Sequence, residues 1–162
     1  MLQIGNVIAA MIEYYSCDAK RIQHFLKVYG FAKAIGELEK LPPKEQELLE
    51  VAAVVHDIGI KNSELKYNSS AGNYQQLEGP PVARELLTGL GYSEELIERV
   101  CYLIAHHHTY DCIDRMDYQI LVEADFLVNI SEDAMSAEVI NSIKEKIFKT
   151  AAGTKFLNQI FE

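Results

Sequence analysis

Apolar residues within residues 18–39, DAKRIQHFLKVYGFAKAIGELE, fall at positions 22, 25, 28, 29, 32 and 35. Recurrence every three to four residues predicts a helix, and Asp18 is placed to cap its start. Gly30 and Gly36 weaken that helix, so tight packing is expected there. In LPPKEQELLEVAAVVHDIGI, Pro43 and glutamates open a helix and Gly59 closes it, which puts His56 and Asp57 in the last turn. Residues 61–79, KNSELKYNSSAGNYQQLEG, are polar and rich in Gly, Asn and Ser, and read as an irregular segment. Helical patterns return in PPVARELLTGLG, YSEELIERVCYLIAHHH, DYQILVEADFLVNISED and AEVINSIKEKIFKTA. The apolar start, MLQIGNVIAAMIEYY, reads as a first helix. No alternating run bounded by hairpin turns suggests a strand. The expected fold is an all-α bundle of about six or seven helices.

With 162 residues and 49% apolar content, the chain suits one domain over residues 1–162. Its motifs occupy about residues 15–130, and the helices of 131–162 are expected to pack on that core. No apolar stretch approaches the roughly 20 residues of a bilayer span. The start lacks a basic n-region and carries Glu13, so it does not read as a signal peptide. Cys17, Cys101 and Cys112 form an odd set without C-x-x-C spacing, which argues against a disulfide framework. Together these features suggest the cytoplasm. Fifteen basic against 24 acidic residues give a net charge of -9, which repels long nucleic acids and leaves small phosphorylated ligands, held at a local positive site or metal, as the expected partners. Ile8, Met11, Ile147 and Phe156, in the first and last helical segments, are available to cover the core or a second copy of the chain in a homodimer.

Four ligand-type side chains break apolar stripes: His24, His56, Asp57 and Asp125. His24 lies in line with Val28, Phe31 and Ile35, and Asp125 interrupts ILVEADFLVNI. Asp57, near a helix C-terminus, meets the unfavourable end of the macrodipole unless a cation offsets it. A lone histidine on an apolar face is most often a hydrogen-bonded core residue, and a buried aspartate often caps a helix or pairs with lysine. An adjacent His-Asp pair, an upstream His and a downstream Asp, breaking apolar faces on three separate helices, are harder to obtain as independent structural roles. One divalent ion would satisfy all four, and imidazole with carboxylate suits zinc, iron, manganese and similar ions.

With these residues the sequence resembles the HD-domain metal-dependent phosphohydrolase superfamily, in which an upstream His, a consecutive His-Asp pair and a distant Asp sit on an all-helical core. The matching residues are His24, His56 with Asp57, and Asp125, and RIQHFLKVYG, VAAVVHDIGI, EGPPVARELL and LVEADFLVNI are similar in wider phrasing. The resemblance implies an HD-type helical bundle whose four residues ligate a divalent metal, among Mn, Fe, Zn, Co, Ni or Mg. It also implies hydrolysis of a phosphate ester or anhydride in a small substrate of the nucleotide kind. Some members have lost catalysis, which leaves a metal- or nucleotide-binding regulatory module as the alternative. Many members carry a lysine three residues after the Asp of the pair; here Ile60 holds that place and Lys61 follows.

In the run His106, His107, His108, consecutive residues point about 100° apart, so at most two serve one centre unless the helix ends there. Dinuclear relatives use histidines at a comparable place, best matched by His107 and His108, and also one near the start of the preceding helix, where this chain offers Glu78, Gly79 or Gln76. Capping of the helix end is the structural alternative for the three histidines. Glu78 is a candidate second-metal ligand or general base, or else a residue favouring the helix start near Pro80. Asp57 is a candidate to accept a hydrogen bond from the attacking water, and Lys61 to stabilise developing charge. Arg21, Lys61, Lys66 and Arg84 are the cations nearest the motifs and candidates for phosphate binding. Tyr67 and Tyr74 are available either to stack on a base or to pack the loop against the body.

Overall fold

The computed structural model describes residues 3–162 as nine α-helices, with no strand among the described residues. They are α1 (Ile4–Tyr14), α2 (Ala19–Leu38), α3 (Pro43–Val55), α4 (Ile60–Tyr67), α5 (Gly72–Gly89), α6 (Glu94–His106), α7 (Met116–Glu132), α8 (Ala137–Ile147) and α9 (Ala151–Phe161). The all-α expectation holds. The number of helices exceeds the expected six or seven because two segments carry signals that periodicity missed. Residues 60–67 form α4, ended by Asn68 in the left-handed region at φ 51. At the other end Phe148 is extended and stops α8, and Thr150 caps a separate α9 by accepting from Gly153 N at 2.9 Å.

Helix α5 starts at Gly72 and runs through Pro80 and Pro81, so the expected start near Pro80 is corrected. Each proline withholds a backbone donor at a cost of about 3 kcal/mol in a helix interior. Packing against α4 and α6 offsets that cost. A Cβ on Gly59 would lie 2.4 Å from the Gln75 carbonyl oxygen and 2.6 Å from Gly79 N, and one on Gly79 would lie 2.5 Å from the Ile104 side chain. Only glycines let these backbones meet, and their contact seats the residues before α4 beside α5 and the end of α6.

Helices α3 and α7 form the centre. From Leu49 to Val55 every residue of α3 is buried, as are nine consecutive residues of α7 before Phe126, the pattern of helices covered on all sides. Helix α2 packs on both, α6 covers α3, and α5 pairs with α6. Helices α8 and α9 rest on α7, and α9 also meets α2. The buried Glu123 of α7 accepts from the N–H groups of Lys149 and Thr150 at 2.7 and 2.9 Å, which ties its carboxylate to the positive end of α9. Met11 and Ile147 belong to the core, and Ile8 and Phe156 pack against it. No helix among the described residues is long and apolar enough to cross a membrane.

Candidate metal centre

Helix α2 carries His24 inward on the face it shares with Val28, Ala32 and Ile35. Helix α3 ends at Val55, so His56 and Asp57 lie in the turn before α4 and not in the last turn of α3. Bonding there tightens to three-residue steps, Ile58 N to Val55 O at 3.0 Å and Ile60 N to Asp57 O at 3.1 Å. The Tyr15 hydroxyl fixes this turn, donating toward the carbonyls of Asp57 and Ile58 at 3.2 Å each and accepting from Lys61 N at 3.2 Å. Asp125 projects from the central α7.

These four residues converge. His24 Nε2 is 3.3 Å from His56 Nε2, 3.5 Å from Asp57 Oδ2 and 3.4 Å from Asp125 Oδ1. His56 Nε2 is 3.4 Å from Asp57 Oδ2 and 3.5 Å from Asp125 Oδ1. Their exposures are 9%, 0%, 7% and 5% for His24, His56, Asp57 and Asp125. Buried Asp125 Oδ1 has no hydrogen-bond partner, and 3.4–3.5 Å is longer than the roughly 2.7–2.9 Å of a charge-assisted hydrogen bond. Ligand atoms about 2.1 Å from one tetrahedral ion lie about 3.4 Å apart. The residues therefore fit a divalent cation.

Ring tautomers agree with that fit. His56 Nδ1 donates to the Ala53 carbonyl at 2.8 Å, and His24 Nδ1 donates to Glu132 Oε2 at 2.9 Å. Each neutral ring then points its Nε2 lone pair at the centre, the arrangement a metal ligand requires. In the metal-free protein, protons take over the balancing of charge. Burial lowers the His24 imidazole, but the facing carboxylates of Asp125 and Asp57 outweigh it and push it up to about 9. Burial opposes protonation of His56 as well, and the Asp57 charge carries it well above the usual imidazole value. Asp57 is held well below the carboxylate range: burial works to raise it, and the His56 charge with the facing His107 and His24 rings prevails.

The second oxygen of Asp57 turns to the end of α6. His107 Nε2 lies 3.0 Å from Asp57 Oδ1 and its Nδ1 donates to the Ile104 carbonyl at 3.0 Å. His108 Nε2 lies 3.8 Å from the same oxygen and 3.2 Å from Gln75 Oε1. Asp57, His107 and His108 thus form a second group able to hold a cation, joined to the first through Asp57. Helix α6 ends at His106, and this end within the run lets two successive histidines share one side. His106 turns away, donating from Nδ1 to the Tyr102 carbonyl at 2.7 Å. The Tyr118 hydroxyl donates toward the carbonyls of His106 and Thr109 and braces the turn.

The remaining sequence candidates divide. Arg21 lines a cleft of about 360 Å³ that leads to His24 and Asp57, together with Lys20, Ser70, Gln75 and Asn129. Its guanidinium is held by Asp18 and Glu64. Lys61 is not brought to the cluster: its ammonium donates to the Tyr14 carbonyl at 2.9 Å and lies over the Tyr14 ring. Arg84 pairs with Glu94 near the far end of α5, and Lys66 with Glu78 at 2.7 Å. Buried Glu78 also accepts from the Tyr67 hydroxyl at 3.1 Å, so it belongs to neither histidine-aspartate group. Tyr67 and Tyr74 stack on each other at 4.2 Å. A larger cavity of about 840 Å³, lined by Ile4, Lys33, Glu50 and Tyr92, contains none of the cluster residues. Sequence reasoning missed Glu132, Gln75 and Tyr15. Glu132 had a signal, since it follows Asp125 by seven residues, two turns along the same helix face; a glutamine and a tyrosine carry none by type.

The HD domain family model matches residues 21–148. The chain belongs to the HD-domain family. The crystal structure of a predicted HD superfamily hydrolase from an uncultured Thermotogales bacterium shares this HD fold, with TM-score 0.69 and 23% identity over 94% of this chain and 82% of that one. No curated protein matches the chain in sequence. The HD residues by which the family was expected, His24, His56, Asp57 and Asp125, are those that converge in space.

Proposed function

We propose that the protein is a metal-dependent phosphohydrolase cleaving a phosphate ester or anhydride in a small phosphorylated substrate, a nucleotide foremost. The observation that carries this reading is the convergence of four buried ligand atoms, with five separations of 3.3–3.5 Å, at the end of a cleft. Membership of the HD-domain family supports it, and the similar fold of a predicted hydrolase agrees.

His24, His56, Asp57 and Asp125 would hold the ion, and His107 with His108 would hold a second through Asp57. Their donor set accommodates manganese, iron, zinc, cobalt, nickel or magnesium. When bound, a divalent ion supplies Lewis-acid chemistry, acidifying water and neutralising charge on a phosphoryl group. Asp57 is placed to accept a hydrogen bond from water entering by the cleft. His107 Nε2, 3.0 Å from Asp57 Oδ1, faces that oxygen as the neighbouring donor atom of the second group. Lys20 and Arg21 are the cations lining the cleft that would meet a substrate phosphate, Arg21 in exchange for Asp18 or Glu64, and Ser70, Gln75 and Asn129 offer neutral hydrogen bonds. Glu78, Lys61 and Arg84 have no part in this reading.

One observation favours a second reading. Lys61 is committed to Tyr14, so the cleft has few free cations, as suits a module that binds metal and nucleotide without turnover. Incubating wild type with manganese and a nucleotide panel separates the two. Release of phosphate or a cleaved nucleotide, falling about 100-fold or more in His56→Ala, is the result expected of the enzyme. Unchanged hydrolysis in that variant overturns the enzyme reading, and nucleotide binding without turnover supports the module.

A further inference from the structure

His24 is the one imidazole of the four-residue group whose outer nitrogen meets a side chain. His56 and His107 are each fixed by a backbone carbonyl, which no substitution removes. His24 instead donates from Nδ1 to Glu132 Oε2 at 2.9 Å, while its Nε2 faces Asp125 Oδ1 at 3.4 Å. The ring therefore spans two carboxylates of α7, set seven residues apart on one face. Lys27, three residues after His24 on α2, donates to the other Glu132 oxygen at 3.3 Å. The chain Lys27, Glu132, His24 crosses from α2 to α7 and back.

We propose that Glu132 is a positioning residue for metal binding, with Lys27 holding it in place. The inference rests on the metal reading of the cluster. A carboxylate accepts and never donates when ionised, so Glu132 dictates which ring nitrogen keeps the proton and leaves His24 Nε2 as a lone pair aimed inward. It also fixes the ring plane and raises the donor strength of the imidazole, while the Lys27 ammonium limits the added negative charge. Outer partners of this kind are worth about 10- to 100-fold in metal affinity. Glu132 keeps 22% side-chain exposure, so its truncation opens no cavity in the core.

The test is the affinity for Zn²⁺, measured against a competing chelator, of wild type and of Glu132→Ala, Glu132→Gln and Lys27→Ala, with thermal unfolding of the metal-free proteins as control. We expect Glu132→Ala to bind about 10- to 100-fold more weakly with an unfolding midpoint close to wild type. Glu132→Gln keeps a carbonyl acceptor for Nδ1–H and recovers part of the loss; Lys27→Ala loses less than Glu132→Ala. Nitrogen chemical shifts of His24 in the metal-free proteins at alkaline pH, where the ring is neutral, supply a second readout: Nδ1 protonated in wild type and Glu132→Gln, with that tautomer lost in Glu132→Ala. Unchanged affinity and tautomer in Glu132→Ala overturn the inference while the metal reading stands. Should Glu132→Ala fail to fold, equal affinity and equal shifts in wild type, Glu132→Gln and Lys27→Ala overturn it. Wild type that takes up no Zn²⁺ overturns both.

Discussion

At the residue scale, the centre depends on side chains that never touch an ion. Tyr15 is an example: one hydroxyl serves Asp57 O, Ile58 O and Lys61 N. Tyr15→Phe keeps the ring and removes the hydroxyl from Ile58 O and Lys61 N, while Asp57 O keeps its bond from Ile60 N; one unmet buried group costs about 1–3 kcal/mol. We expect urea unfolding of the metal-free variant to show a loss of about 1–3 kcal/mol together with weaker metal binding. A variant as stable as wild type would mean that water replaces the hydroxyl. The four clustered residues were legible because their chemistry clashes with their apolar neighbours. Tyr15 and Gln75 were not, because an aromatic in an apolar stripe and an amide in a polar segment break no rule. Lys61 shows the opposite failure: proximity in sequence suggested a phosphate contact, and an ammonium on a flexible stem found the Tyr14 carbonyl first.

At the element scale, the segment after α6 that carries His107 and His108 is clamped from its far side. Arg99 of α6 donates to Asp117 at 2.8 and 2.6 Å and to Asp114 at 2.8 and 2.7 Å. Asp117 is 3% exposed, so removing the guanidinium leaves a buried carboxylate uncompensated. Breaking such a pair costs about 3–5 kcal/mol. Arg99→Ala should lose stability on that scale by chemical denaturation, and Arg99→Lys less, since it keeps the charge but not the fork. A loss below about 1 kcal/mol would place this clamp with ordinary surface pairs. Helix periodicity made α2, α3, α6 and α7 readable, with Asp18 and Ser93 accepting from Arg21 N and Leu96 N as caps. It failed for α4 and for the start of α5, where polar residues pointed to a loop and two prolines to a later helix start. Packing through Gly59 and Gly79 decides those elements, and such contacts join positions twenty residues apart.

At the scale of the whole molecule, protons and metal compete for one buried set of charges. Two imidazolium rings facing two carboxylates are neutral, and so are two neutral rings with two carboxylates and one divalent ion. The sign for stability follows from His24. Its value in the folded, metal-free protein, about 9, exceeds the ordinary imidazole value of about 6.5. The protonated ring therefore contributes stability that is complete below about pH 6.5 and is lost as pH rises through about 9. His56 shifts in the same direction. We expect metal-free protein to unfold progressively more easily over that interval and metal-loaded protein to lose the slope. Calorimetric titration near neutral pH in buffers of different ionisation enthalpy should show about two protons released per ion. No release would show that the rings are neutral before metal arrives. The cleft ends at His24 and Asp57 and reaches neither His56 nor Asp125. An ion entering by that cleft would meet His24 and Asp57 first, and the protons those groups hold would have to leave as it arrives. We expect the rate of loading through it to depend on the proton acceptor in the buffer as well as on the metal.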